Sequence, residues 1–246
     1  MTDISHNTGL SAPCATAQRA GLVIFDCDGV LVDSELLSMR VLLEMTAEAG
    51  AVIDAEQGYE SFLGKSLASV IEIVQRDYGV AVGPAALEKM RRRLYALFRR
   101  ELRAVPGLAE ALSGLTLPFC VASSSQMERI RLSLEVTGLA PFFGDRIFSA
   151  SMVERGKPAP DLFLHAAREM HIEPGRCIVV EDSPVGVEAA RRAGMRVFAF
   201  TGGSHAQSPA HRKTLTALQP TLIFDDMAAL PRLIGSVTEA KEVPDA

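Results

Sequence analysis

The sequence predicts an α/β fold, a doubly wound parallel sheet with a helical module inserted after the first strand. Two observations carry this. Short, continuous apolar runs bounded by turn residues recur along the chain, and helical patterns fall between most of them. That alternation fails once, between about residues 35 and 104, where helical patterns follow one another without a strong strand.

The strands are the clearest elements. Leu22-Val23-Ile24-Phe25, Phe119-Cys120-Val121-Ala122, Cys177-Ile178-Val179-Val180 and Val197-Phe198-Ala199-Phe200 are apolar throughout, Thr221-Leu222-Ile223-Phe224 is apolar after its first residue, and Arg146-Ile147-Phe148-Ser149 is weaker. Runs this short and unbroken suit strands buried on both faces, as in a parallel sheet. Helices are expected at 128–136 and 161–170. Another should open at Ser183-Pro184, with Ser183 as N-cap, and stop at Gly194. Strand–helix alternation of this kind implies the doubly wound arrangement. In the insert, helices are expected at 35–49, 66–77 and 84–103; the middle one carries Leu67, Val70, Ile71 and Val74 at i, i+3, i+4, i+7. Val105-Pro106-Gly107 returns the chain to the α/β pattern. The division is therefore a core of 20–34 and 105–235, an inserted helical domain of 35–104, and disordered tails at 1–19 and 236–246.

Composition narrows the function classes. The 246 residues are 48% hydrophobic and 22% charged, enough for one sizeable core, or for one core plus a smaller domain. A net charge of -5 and the absence of Trp argue against nucleic acid and anionic membrane as partners. No apolar run reaches the roughly 18 residues that span a bilayer. The first 19 residues lack the apolar stretch of a signal peptide. Cys14, Cys27, Cys120 and Cys177 form no Cys-x-x-Cys pair, so a reduced, cytoplasmic setting is expected. A monomer is the default expectation.

Four segments carry chemistry. The first strand ends in Phe25-Asp26-Cys27-Asp28-Gly29, which places two carboxylates where an open parallel sheet binds its ligands. Asp26 and Asp28 are two apart, so an extended backbone aims them the same way; a hard divalent cation relieves their repulsion. The Cys177–Val180 strand ends in Glu181-Asp182 before the Ser183 cap, and if the first strand is its neighbour, four carboxylates meet at one edge. Ser123-Ser124-Ser125 precedes a helix, a setting that suits a phosphate. Gly156-Lys157-Pro158-Ala159-Pro160 supplies one cation in a constrained loop. Each has a plainer reading: a solvated turn for the Asp pair, helix-dipole charge for Glu181-Asp182, an N-cap for Ser123, a surface lysine for Lys157. Ser124 and Ser125 are read as caps rather than ligands. Arg91, Arg92, Arg93, Arg99, Arg100 and Arg103 read mainly as a solvated face. His165, His171, His205 and His211 show no ligand spacing and read as surface residues, while Cys27 should point into the core.

Taken together and in this order, the four segments resemble the motifs of the haloacid dehalogenase superfamily. The resemblance runs from about residue 20 to 235, with Asp26-Cys27-Asp28-Gly29-Val30, Ser123, Lys157 and Glu181-Asp182 matching its four motifs. The insert position is similar to that of the helical-cap subgroup, which holds phosphoglycolate and sugar-phosphate phosphatases and β-phosphoglucomutase. The resemblance implies a Mg²⁺-dependent phosphoric monoester hydrolase acting on a small phosphorylated metabolite, a sugar phosphate or phosphosugar acid. It implies that Asp26 is the nucleophile that forms an aspartyl phosphate and that Asp28 is the acid and base. Mg²⁺ would be held by Asp26, the backbone carbonyl of Asp28, Asp182 and, directly or through water, Glu181. Ser123 and Lys157 would hold the phosphoryl oxygens, with Ser124 beside them, and Gly64-Lys65 resembles the cap loop that reaches the substrate. A phosphomutase is the alternative, but Ser38 and Leu67 stand where β-phosphoglucomutase has a His and an Arg. A metal-free dehalogenase lacks the second Asp, and a silent binding protein would not need all four motifs.

Overall fold

The structure is a computed structural model that describes residues 19–62, 67–207 and 209–239. Strand β1 (Leu22–Phe25) is followed by four helices, α1 (Glu35–Glu48), α2 (Ala55–Phe62), α3 (Leu67–Tyr78) and α4 (Pro84–Glu101). The chain continues through α5 (Leu108–Gly114), β2 (Phe119–Ser123), α6 (Met127–Val136), α7 (Ala140–Phe143) and β3 (Ile147–Ser149). It closes with α8 (Asp161–Glu169), β4 (Cys177–Glu181), α9 (Pro184–Arg192), β5 (Arg196–Phe200), α10 (Pro209–Ala217), β6 (Leu222–Phe224) and α11 (Leu230–Glu239).

All six strands pair in parallel in the order β3-β2-β1-β4-β5-β6. The apolar runs form strands because both faces of the sheet are covered. Val23 and Phe25 pack into one apolar layer with Val121, Ile178, Val180 and Phe198. Leu22 and Ile24 pack into the opposite layer with Cys120, Cys177, Val179 and Val197. Each residue of β1 is fully buried, which stabilises the fold by about 1.5–3 kcal/mol per side chain. Cys27 lies in the first layer at 1% exposure, as its sequence context predicts. Cys27, Cys120 and Cys177 are free thiols.

The chain leaves the sheet and returns to it at one place. Asp33 N donates to Arg103 O at 3.0 Å, and Val105 N donates to Leu31 O at 3.0 Å, so the outgoing and incoming stretches of chain run side by side. The helical insert has its own small core of Met39, Ile53, Phe62, Val70, Val74 and Val80. Yet Val41 of α1 and Leu94, Leu97 and Phe98 of α4 join the main apolar layer, so the insert is seated on the sheet domain as well.

Several elements differ from the sequence expectation: helices α2, α5, α7 and α10 are absent from it, and α11 is longer. The α2 segment is polar and carries Gly58, whose missing side chain lets α2 approach α1, since a Cβ would lie 2.9 Å from Leu43 Cδ2. Helix α11 runs on to Glu239, past Ser236, where a tail is expected to begin. The expected tail at 1–18, residues 240–246, and the Gly64-Lys65 loop with Ser66 lie outside the described residues. Among the described residues no helix is long and apolar enough to cross a membrane.

Candidate active site

The strand order reverses between β1 and β4: the chain builds outward through β2 and β3 on one side, and through β5 and β6 on the other. At such a switch point the carboxyl ends of the strands leave a crevice. Pairing in register, Phe25 with Val180, sets Asp26 beside Glu181, and Asp26 N donates to Val180 O at 3.0 Å. Ser123, at the end of β2 on the other flank of β1, is 1% exposed, and its hydroxyl accepts from Ser125 N at 3.1 Å. Lys157 comes from the loop before α8. Its side chain is 2% exposed, and its ammonium donates to Asp26 Oδ1 at 2.5 Å and to Glu181 Oε1 at 2.7 Å.

Helix α9 begins as its Ser-Pro signature predicts, with the Ser183 hydroxyl accepting from Gly186 N at 3.1 Å. The same residue steadies Glu181, whose Oε2 accepts from Ser183 N at 2.7 Å and Ser183 Oγ at 2.9 Å. Asp26, Glu181 and Asp182 are all buried, and one oxygen from each lies within 4.8 Å of the others. Burial pushes the Asp26 carboxyl well above its usual range, and the charges of Glu181, Asp182 and Asp28 add to this against the opposing pull of Lys157. A buried, all-oxygen trio of like charges fits a hard divalent cation.

Asp28 departs from the expectation that it shares this cluster. Its carboxylate accepts from Ser34 Oγ at 2.6 Å, Ser125 Oγ at 2.6 Å and Arg129 at 2.7 Å. Burial opposes its ionisation, but Arg129 and these hydroxyls outweigh burial and hold its pKa below the ordinary aspartate value. Arg129 also donates to Ser38 Oγ at 3.2 Å and stacks 5.3 Å from the Phe98 ring, bridging α6 to the insert. Gly29, at φ +79°, makes the tight exit possible, and a Cβ there would lie 2.0 Å from Asp182 Oδ2.

Several side chains escape the sequence reading. Ser125 is not a cap: the N-cap position of α6 is Gln126, without a side-chain capping bond, and the Ser125 hydroxyl goes to Asp28. Ser124 is exposed. His205 and His211 depart from the surface placement expected of them: His205 is buried and pairs with Asp182 Oδ2 at 2.7 Å, and His211 Nε2 lies 2.8 Å from the Asp182 carbonyl. No ligand spacing marks them, because each meets a single residue more than 20 positions upstream. Glu35, at the start of α1, is pushed up to about 7, first by burial and then by Asp28 and Asp182. The arginines of α4 behave as expected of a charged face: Arg91 pairs with Glu88 and Glu128, Arg93 with Glu48, and Arg100 with Glu101.

A six-stranded doubly wound sheet with a buried acidic trio at its switch point, a lysine bridging two of the acids and a helical insert after the first strand defines a class of hydrolase. A family model described as haloacid dehalogenase-like hydrolase matches residues 21–194, and the chain belongs to that family. It is 35% identical over 216 residues to the 6-phosphogluconate phosphatase of Escherichia coli (strain K12), spanning 87% of this chain and 95% of that one. A crystal structure of a conserved haloacid dehalogenase-like protein of unknown function from Agrobacterium tumefaciens str. C58 superposes with a TM-score of 0.80 at 38% identity, covering 89% of this chain and 100% of that one. A haloacid dehalogenase family hydrolase from Deinococcus radiodurans R1, crystallised with bound phosphate and sodium, superposes with a TM-score of 0.72 at 31% identity, covering 90% and 97%.

Proposed function

We propose that the protein is a Mg²⁺-dependent phosphatase that hydrolyses a small phosphorylated metabolite, a sugar phosphate or phosphosugar acid, through an aspartyl phosphate on Asp26. The observation that carries this reading is the convergence of Asp26, Glu181 and Asp182 around one point with Lys157 bridging Asp26 and Glu181. The bound phosphate in the Deinococcus radiodurans relative and the 6-phosphogluconate phosphatase name of the Escherichia coli relative support it.

Asp26, Glu181, Asp182 and the backbone carbonyl of Asp28 would hold the ion, which when bound offsets the negative charge gathered on the phosphoryl oxygens. An oxygen of Asp26 attacks phosphorus, and the bond from phosphorus to the leaving oxygen breaks. The Asp28 carboxyl gives that oxygen its proton, so the dephosphorylated alcohol departs neutral. Asp28, now a carboxylate, takes a proton from water as the water oxygen attacks phosphorus. The bond from phosphorus to Asp26 breaks, inorganic phosphate leaves, and both aspartates return to their starting states. Ser123 and Lys157 hold the phosphoryl oxygens through the two in-line displacements. With its carboxylate on Arg129, Asp28 is poised as the base; to act as the acid it must leave that contact. The helical insert serves as the cap that covers the leaving group. Ser38 accepts a bond from Arg129 at the position where the mutase resemblance has a His, which favours hydrolysis over phosphoryl return to a sugar.

The test is phosphate release from a panel that includes 6-phosphogluconate, hexose and hexitol phosphates and phosphoglycolate, with Mg²⁺ or with chelator, for wild type and Asp26→Asn. The expected result is turnover that needs the cation and vanishes in Asp26→Asn. Turnover that survives in that variant would remove Asp26 as nucleophile, and sugar-phosphate isomerisation without release would make the protein a mutase.

A further inference from the structure

The geometry points to His205 as a positioning residue that orients the Asp182 carboxylate for a divalent cation, with His211 bracing the backbone of Asp182. The inference rests on the cation reading of the acidic trio and assigns a role to the loop between β5 and α10, which that reading leaves unused.

His205 has a side chain 3% exposed, and its Nε2 lies 2.7 Å from Asp182 Oδ2. The carboxylate accepts, so Nε2–H donates. His211, in the first turn of α10, donates Nε2–H to the Asp182 carbonyl at 2.8 Å. The two rings meet edge to face at 5.7 Å, so one aspartate is gripped at its side chain and at its backbone by a stacked pair. The loop that carries His205 is clasped to the loop after β1. Ser204 Oγ donates to Asp33 Oδ1 at 2.6 Å, and Ser204 N reaches the same oxygen at 3.3 Å. Two glycines make room for the pair. A Cβ on Gly203 would lie 2.8 Å from His205 Cε1, and one on Gly29 would lie 2.7 Å from the same atom.

Packing alone does not account for an imidazole here. The other ring nitrogen, Nδ1, is buried and meets no hydrogen-bond partner among the described residues, and burying an unsatisfied polar atom is unfavourable. An apolar side chain would fill the space without that penalty. What the imidazole adds is the Nε2 donor. Each carboxylate of the trio then has a donor: Lys157 for Asp26 and Glu181, Ser183 for Glu181 as well, and His205 for Asp182. A bond to one oxygen of Asp182 fixes the plane of the carboxylate and leaves the other oxygen for an ion. Partners of this kind change metal affinity by about 10–100-fold.

The experiment is Mg²⁺ titration calorimetry on the full chain, phosphate-free, for wild type, His205→Gln and His205→Asn, with melting curves in chelator. A glutamine amide reaches the place of Nε2, whereas an asparagine amide reaches only that of Nδ1. The expected result is a loss of Mg²⁺ affinity of about 10–100-fold in His205→Asn and affinity close to wild type in His205→Gln, with similar metal-free melting temperatures for both variants. Equal affinity in all three proteins, or an equal loss in both variants, overturns the positioning role. Wild type that binds no Mg²⁺ at millimolar concentration overturns the cation reading, and the inference with it.

Discussion

Arg129 and Asp28, 101 residues apart in the chain, meet at 2.7 Å with side chains only 22% and 13% exposed. The pair links the loop after β1 to α6. Because Arg129 also touches Ser38 and Phe98, it ties the acid of the first motif to the helical insert.

Removing one partner of a half-buried pair leaves the other charge desolvated. Arg129→Met is expected to be destabilised by about 3 kcal/mol at pH 7, read from urea unfolding by far-UV circular dichroism. The pH dependence has a definite sign. In wild type the Asp28 pKa is lowered below its unfolded value, so its contribution is present at neutral pH and fades as pH falls through that lowered value. Without Arg129, burial raises the Asp28 pKa, and protonation then relieves the fold as pH drops. The gap between the two proteins should narrow from pH 7 toward about pH 4; a constant gap would mean that Arg129 acts by packing alone.

How much of this is legible in the sequence follows from the kind of contact involved. Strands β1, β2, β4 and β5 are plain because burial on both faces demands unbroken apolar runs. Asp26, Lys157, Glu181 and Asp182 are plain because each ends a strand, directly follows one or sits in a Gly/Pro loop, where chain order alone brings it to the sheet edge. Arg129, Ser125 and His205 are not. Each acts on a carboxylate in another segment, and no local spacing encodes a contact across 97 or 101 residues. Helix α2 is hidden for a related reason: Gly58 lowers its intrinsic propensity, while the approach to α1 that Gly58 permits is tertiary.

Lys157 is the counter-charge for two buried acids. Burial opposes its charge, yet Asp26 and Glu181 raise its pKa above the usual lysine value. Lys157→Met leaves both carboxylates without a cation, and the expected loss is about 3–5 kcal/mol, a fall in Tm of about 10 °C in chelator. A melting temperature within a degree or two of wild type would show that the acids shed their charge by protonation instead.

Gly186 offers a test in which the sign decides. A glycine inside an exposed helix normally gains stability on replacement by alanine, by about 1 kcal/mol. At Gly186 the new Cβ would lie 1.7 Å from Glu181 Oε1, and Glu181 is 1% exposed and held by Lys157 and Ser183. Gly186→Ala is therefore expected to destabilise by about 1–3 kcal/mol and to weaken Mg²⁺ binding. Gly235 in α11 is the control, since nothing lies within 4 Å of its Cβ position; Gly235→Ala should raise stability. Chemical denaturation of both variants checks the contrast, and a gain in stability from both would place slack around Glu181.

Glu35 gives the metal-free protein a pH dependence of its own. Its carboxyl is pushed from 4.5 up to about 7, by burial first and then by Asp28 and Asp182, against Arg129 and His205. The folded state therefore keeps a proton between those values that the unfolded chain releases. The contribution of Glu35 is full below pH 4.5 and is lost as pH rises through 7. Glu35→Gln removes the titration while keeping the size of the side chain. Every tenfold gain in proton affinity on folding is worth about 1.4 kcal/mol, and the partial exposure of Glu35 reduces the sum. The stability of Glu35→Gln relative to wild type should therefore grow by about 2 kcal/mol between about pH 5 and pH 8. Urea unfolding in chelator at the two pH values reads this directly. An advantage that is the same at both would mean that Glu35 is ionised throughout, with enough water at the start of α1 to carry the charge.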